Sequence, residues 1–515
     1  MVVARSCVFA AVLAVGLALP AIARRPPADD PPRPADDAIV FVGDRCGERE
    51  GAPPAKHLGK LALLTSVKQG DPWRPVVDKV AQWKKGAVRI DFREGTLAGA
   101  RSALEKELPE FVWVIAPPEQ LDVNFHFELL ELLAALDDDP FVDATPAYLT
   151  AATPDEALKW LERQIALQKK RSPLPQELIE FGPSANGKSN FGGPQSDPLA
   201  KGWKRWWAYH GAAAEMVAKK ALLEGRGVVR AGGHGMPCGI DGGLQGVDLR
   251  QHAIDFGGAL YFSGPCYCGV TDRWFAAGAG GIEERHVAAG ESFALQALAC
   301  GASALFAGFD PDRGETSSQE SEHLFVHGGP LGGATKSTYD GVTIARRAAA
   351  LTLFRYEPGK PDPHRDLLDT MTGGGACRAL FGDPTWAPIE ACAAPLWSPD
   401  KRDAAKALML SLAFEKPDLS RWELSDVYHC GGGWTHRVSF KTEIPVATAR
   451  KLDGFAIVAL TAQGKPLTAV APTAMVERHG GKAWLHVLVV FPPGEQRTFH
   501  AERDFRIELS FRKRA

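Results

Sequence analysis

The chain has 515 residues, 45% of them hydrophobic and 23% charged, with 59 basic against 62 acidic side chains. A formal charge of −3 gives no electrostatic case for nucleic acid or an anionic membrane as a partner, and the apolar share excludes a disordered chain. At roughly 100–200 residues per domain the length predicts about three domains.

The first residues, MVVARSCVFAAVLAVGLALPAIARRPP, combine Arg5, an apolar stretch from Cys7 to Leu19 and an A-x-A site at Ala21, Ile22 and Ala23. That pattern predicts a signal peptide over residues 1–23, cleaved after Ala23, and a secreted or periplasmic protein. The apolar run is short for a membrane span, and no later segment offers about 18 uninterrupted apolar residues, so no membrane association is expected after cleavage. Export would place eight cysteines in an oxidising compartment: Cys46, Cys238, Cys266, Cys268, Cys300, Cys377, Cys392 and Cys430. In so long a chain they do not make a disulfide scaffold, and their connectivity is not readable.

Residues 24–37, RRPPADDPPRPADD, form a linker too poor in apolar side chains to fold. Residues 38–181 read as an N-terminal α/β subdomain. AIVFVGD opens it as a buried-strand pattern, and KLALLTS, GAVRIDF and FVWVIAPPEQL repeat that character around helical stretches such as GTLAGARSALEKEL. In ATPDEALKWLERQI, Thr153 fits an N-cap, Pro154 the first helical position and Glu156 the partner in a capping box. Residues 182–202 shift to Gly, Pro, Asn and Ser and read as a second linker. Residues 203–390 form a second α/β domain: GVVRAGG, GGALYFSG and ASALFAG are strands, GESFALQALACG and GVTIARRAAALTLF are helices, and CRALFGDPTW closes the domain. Residues 391–515 carry HRVSFKTEI, GFAIVALTA, AWLHVLVVF and DFRIELSFR between turn signals, which predicts a small all-β sandwich.

GPSANGKS (Gly182 to Ser189) fits a phosphate-binding loop in letters alone. The residues that follow, NFGGPQSDP, cannot start the helix whose N-terminus such a loop needs. The acidic stretches Asp137 to Asp143 and Asp310 to Glu322 could offer oxygen ligands for structural calcium, but neither matches an EF-hand loop, and solvated loops are the simpler reading.

The chemistry concentrates elsewhere. VVRAGGHG puts His234 just past one apolar run, and ALYFSGPC puts Cys266 just past another. In a parallel sheet, strand C-terminal ends lie on one side, where α/β folds build their sites. A cysteine attacks as its thiolate, and a neighbouring histidine generates it and then protonates the leaving amine. Gly235 and Gly264 let the backbone approach a substrate closely. The backbone N–H groups of Gly235 and Cys266 could then form an oxyanion hole. On the residues alone this remains one reading beside a structural one.

The same residues resemble a known family. GHG after a strand, and a Cys-aromatic-x-Gly turn after the next one, look like the caspase-like (clan CD) cysteine peptidases, closest to the gingipain-type (C25-like) group. ESFALQALACGASALFAG resembles the helix–strand unit after their catalytic turn, and ALFGDPTW their Leu-x-Gly-Asp-Pro element. The resemblance runs from Ala38 to the C-terminus and is best between Val228 and Pro388. It implies an α/β, caspase/gingipain-like parallel-sheet sandwich in two subdomains, followed by a small all-β, immunoglobulin-like domain. It also implies an exported cysteine endopeptidase in which His234 is general base and acid, Cys266 the nucleophile, and the Gly235 and Cys266 amides the oxyanion hole. Cys266 rather than Cys268 takes that role because the family nucleophile directly precedes the aromatic residue, here Tyr267. No cofactor is required, and the expected partner is a protein or peptide substrate; the oligomeric state is not readable. Asp241 and Glu291 are candidates for an acidic specificity pocket. The chain departs from the family at Cys268, where a small hydroxyl residue is usual, and at Cys238. Two other readings therefore stand beside the peptidase: a caspase-like binding or scaffold protein without catalysis, and a metal site built from His234, Cys238, Cys266 and Cys268.

Overall fold

The computed structural model describes residues 60–93, 96–136, 142–170, 173–183, 190–196, 202–210, 216–240, 243–311, 320–321, 324–325, 328–348, 355–361 and 377–389, together with the strands at 40–44 and between 409 and 513 as backbone. Outside these residues lie the expected signal peptide (1–23), the 24–37 linker, Cys46, Cys392, Asp241, and most of both acidic stretches (137–141, 312–319 and 322).

After β1 (Val40–Asp44) comes a parallel block of four strands: β2 (Leu61–Thr65), β3 (Val88–Asp91), β4 (Phe111–Ile115) and β5 (Thr145–Leu149), in the order β3-β2-β4-β5. The helices α1 (Arg74–Trp83), α2 (Arg101–Glu107) and α3 (Val123–Leu133) connect them. Every residue of β2, β4 and β5 is buried, as a sheet covered on both faces requires. Next comes α4 (Pro154–Lys170), where the Thr153 hydroxyl accepts the Glu156 N–H at 3.2 Å, the N-cap that the sequence predicts. The box is not completed: the Glu156 carboxylate takes a charge-assisted bond from Arg250 at 2.6 Å instead.

A second block follows. Its strands β6 (Glu177–Pro183), β8 (Lys204–His210), β9 (Val228–Ala231), β12 (Leu260–Ser263) and β15 (Ala304–Gly308) are mutually parallel in the order β15-β12-β9-β6-β8, and β7 (Asn190–Ser196) closes the edge antiparallel to β8. Between them lie α5 (Met216–Leu223), the small ribbon β10 (Gly235–Met236) with β11 (Gly239–Ile240), α6 (Gly246–Gln251), the hairpin β13 (Arg273–Gly278) and β14 (Gly281–His286), and α7 (Phe293–Ala299). After α8 (Leu331–Ala348) comes β16 (Arg378–Phe381), antiparallel to β15 and parallel to β5. The two blocks therefore share one eleven-stranded sheet and run in opposite directions within it. One hydrophobic core extends through both.

Residues 190–196, inside the stretch that reads as a linker, are β7. GPSANGKS begins in the last residues of β6, and the next described element is again β7, a strand and not the helix that phosphate binding needs. AIVFVGD also differs from expectation. It is a strand, β1, but it pairs with the strands Phe455–Ala462 and Val470–His479 instead of opening the first block. A short apolar run specifies a buried strand without naming its partner. In the described segments after residue 408 every element of more than one residue is a strand. Among the described residues no helix is long and apolar enough to cross a membrane.

Candidate active site

β9 and β12 lie side by side in register, with Ala231 opposite Ser263, and the Gly264 N–H donates to the Ala231 carbonyl at 2.8 Å. His234 and Cys266 each stand three residues beyond these paired ends. Gly235 then brings the two loops into contact. A Cβ built on it would lie 2.5 Å from Pro265 Cβ, 2.6 Å from the Cys266 carbonyl oxygen and 3.1 Å from the Cys266 nitrogen. No side chain fits there, so glycine permits the backbone of the His234 loop to abut the backbone of the Cys266 turn. His234 is exposed and Cys266 half-buried.

The start of α7 ties both loops together. The Ser292 hydroxyl donates to the Val270 carbonyl at 2.7 Å on the Cys266 side, while the Phe293 N–H donates to the Pro237 carbonyl at 2.9 Å on the His234 side. Ser292 also caps the helix by accepting the Leu295 N–H at 3.3 Å.

Tyr267, next to Cys266, has φ +59°, a left-handed conformation that costs a bulky side chain about 1–3 kcal/mol and persists only where the surroundings impose it. Its ring meets Trp274 edge-on at 4.9 Å. The Val270 N–H donates to the Tyr267 carbonyl at 3.0 Å, and the Gly269 N–H to the Gly308 carbonyl at 2.8 Å. The turn is thus folded back onto the end of β15 and locked there.

Beneath it lies a charge pair that the sequence did not single out. Arg378 and Glu320 are both fully buried, with Arg378 Nη2 2.6 Å from a Glu320 oxygen and Nε 3.3 Å from the other. Arg378 Nη1 donates to the carbonyl of Ser263, the last residue of β12. A lone Arg within the apolar run CRALF was the available signal. Its acidic partner, 58 positions away, was not deducible.

The remaining expected residues fall as follows. Cys268 is buried, and burial pushes its thiol up to about 12. It donates weakly to the Met236 carbonyl at 3.8 Å. Cys238 is half-buried in the β10–β11 turn. Among the described residues no three His, Cys, Asp or Glu side chains are grouped so as to hold a metal ion, so His234, Cys238, Cys266 and Cys268 do not make the cage considered above. Glu291 is exposed just before α7, and its carbonyl packs against Gly246 at the start of α6. A cavity of about 750 Å³ lies along the β13–β14 hairpin, walled by Arg273, Phe275, Asp122, Glu128 and Tyr356 among others. His234 and Cys266 are not among its walls. Trp274, between Arg273 and Phe275, points the other way onto Tyr267.

No protein-family model matches the sequence, and no curated protein does. Two solved structures are similar in fold. One is described only as a protease, at a TM-score of 0.43 and 10% identity, covering 88% of this chain and 97% of that one. The other is gingipain R, an arginine-specific cysteine proteinase, at a TM-score of 0.41 and 11% identity, covering 88% of this chain and 98% of that one.

Proposed function

We propose that the chain is an exported cysteine endopeptidase acting through an acyl-enzyme. The observation that carries this reading is the contact of the Gly235 backbone with the Cys266 backbone, at the ends of two adjacent parallel strands. It brings a histidine loop and a cysteine turn to one place without help from sequence proximity. In this scheme His234 takes the Cys266 proton and the thiolate adds to the scissile carbonyl carbon. The Gly235 and Cys266 N–H groups receive the oxyanion. Collapse of the tetrahedral adduct passes the proton from His234 to the leaving amine. Water, deprotonated by His234, then releases the acyl group and restores the thiol. Export rests on the n-region, apolar stretch and A-x-A site at the N-terminus.

The test is labelling of the folded, non-reduced protein with a fluorescent thiol-directed electrophile at neutral pH, the site being located by peptide mass spectrometry. Fast labelling at Cys266, lost in His234→Ala, is the expected result. Slow labelling, equal in both proteins, would leave a binding module in place of a peptidase.

A further inference from the structure

In the structure, β12 is bonded to β15 only as far as Phe262, opposite Phe306. One residue later, the Ser263 carbonyl receives the Arg378 guanidinium. On its other side that guanidinium is held by Glu320 through two nitrogens. Tyr339 fixes the backbone of the same residue, its hydroxyl donating to the Arg378 carbonyl at 2.6 Å. A planar fork with donors fixed in direction can hold a carboxylate and a carbonyl at once, which a lysine ammonium does as a point charge only. Ser263 is followed by Gly264, Pro265 and Cys266. The direction of the Ser263 carbonyl sets where the chain leaves the sheet, and so where the Cys266 turn begins.

Burying both partners of an ion pair is costly, and such pairs are often no more stabilising than apolar residues of similar volume. Here the pair sits at the one place where β12 gives up its bonds to β15 and turns. We infer that Arg378, clamped by Glu320, is a positioning residue that aims the turn carrying Cys266. Glu320 lies between Asp310, whose carbonyl accepts the Tyr267 N–H at 3.5 Å, and Phe325 in the core. The chain after β15 therefore reaches the turn twice, from Asp310 and through Glu320.

The inference rests on the peptidase reading for its catalytic consequence, but its structural half can be read without any activity. The experiment is hydrogen exchange on the whole protein, wild type against Glu320→Gln, followed at the Tyr267, Gly269 and Val270 amides and at β2 and β4 as reference. Exchange at the three turn amides is expected to rise by about tenfold or more while β2 and β4 are unchanged. On a peptide substrate kcat is expected to fall by about tenfold with KM little changed, since geometry and not binding is lost. Turn amides as protected as in wild type would overturn the inference, and so would an increase spread evenly over the sheet. If wild-type Cys266 proves unreactive, the peptidase reading fails while the exchange pattern still decides the positioning role. Should Glu320→Gln not fold, Arg378→Lys keeps the buried charge without the planar fork, and is read in the same way. If neither variant folds, the pair serves the whole sheet and the inference is wrong.

Discussion

The two blocks of the sheet are built from similar strands and end differently. In the first, β2, β4 and β5 are buried at every position, and among its described residues only Leu108 has positive φ without being glycine. In the second, β9 and β12, buried at every position but Arg230, lead to a glycine that admits no Cβ, a tyrosine with φ +59° and a buried arginine that bonds the last carbonyl of β12. Both blocks also bury polar groups, Asp122 and His126 in the first among them, but the close-packed glycine and the left-handed tyrosine stand beside His234 and Cys266. A strained turn and a close backbone contact at one pair of strand ends are what a site requires, while the buried strands of the first block supply rigidity.

That contrast can be tested by perturbing each side. The largest effect is expected from His234→Ala, which should slow peptide cleavage and Cys266 labelling by roughly 10²–10⁴-fold with the melting temperature nearly unchanged. Leu63→Ala, at a fully buried position of β2, should do the reverse. It is expected to cost about 2–5 kcal/mol in chemical denaturation while the folded fraction keeps wild-type Cys266 reactivity. A drop in reactivity there would break the division of labour. Gly235→Ala should affect both measurements, because its methyl group would strike Pro265 and the Cys266 backbone. A loss of about 10²-fold in kcat is expected if the oxyanion donors are displaced.

The Cys268 thiol sharpens the comparison through pH. Its folded-state pKa of about 12 lies above the ordinary thiol value. As pH rises from about 8.5 towards about 12 the unfolded chain therefore loses its proton first, and stability falls. Melting temperatures should decline over this window, less steeply in Cys268→Ala, and wild-type Cys268 should stay unlabelled under conditions that label Cys266. The smallest effect belongs to Thr153→Ala, a lost helix cap in the scaffold worth about 1 kcal/mol, with labelling unaffected.

Much of this architecture is visible in the letters, for identifiable reasons. VVRA, LYFS and ALFAG are short apolar runs bounded by Gly, so β9, β12 and β15 are legible, and with them the placement of His234 and Cys266. The cap at Thr153 is legible because its chemistry is local. The β13–β14 hairpin is not, since RWFAAG and GIEERH present mostly partly or fully exposed residues without strict alternation. β1 reads as a strand, but its partners lie in the last part of the chain. Arg378 reads as an oddity in CRALF, and only the fold brings Glu320 and Ser263 to it. What local patterning could not supply is the pairing of residues far apart in sequence.

β16 has a consequence for how the protein is made. Until Arg378–Phe381 is synthesised, the β5 edge of the first block has no neighbour on that side, although all five of its residues are buried in the finished sheet. Roughly 230 residues separate Tyr148 from Phe381, so at about 5–20 residues per second a nascent chain would present that open edge for some tens of seconds. An unpaired apolar edge invites pairing with another chain. Holding the growing polypeptide apart from its neighbours over that interval becomes a condition for joining the two blocks in one sheet.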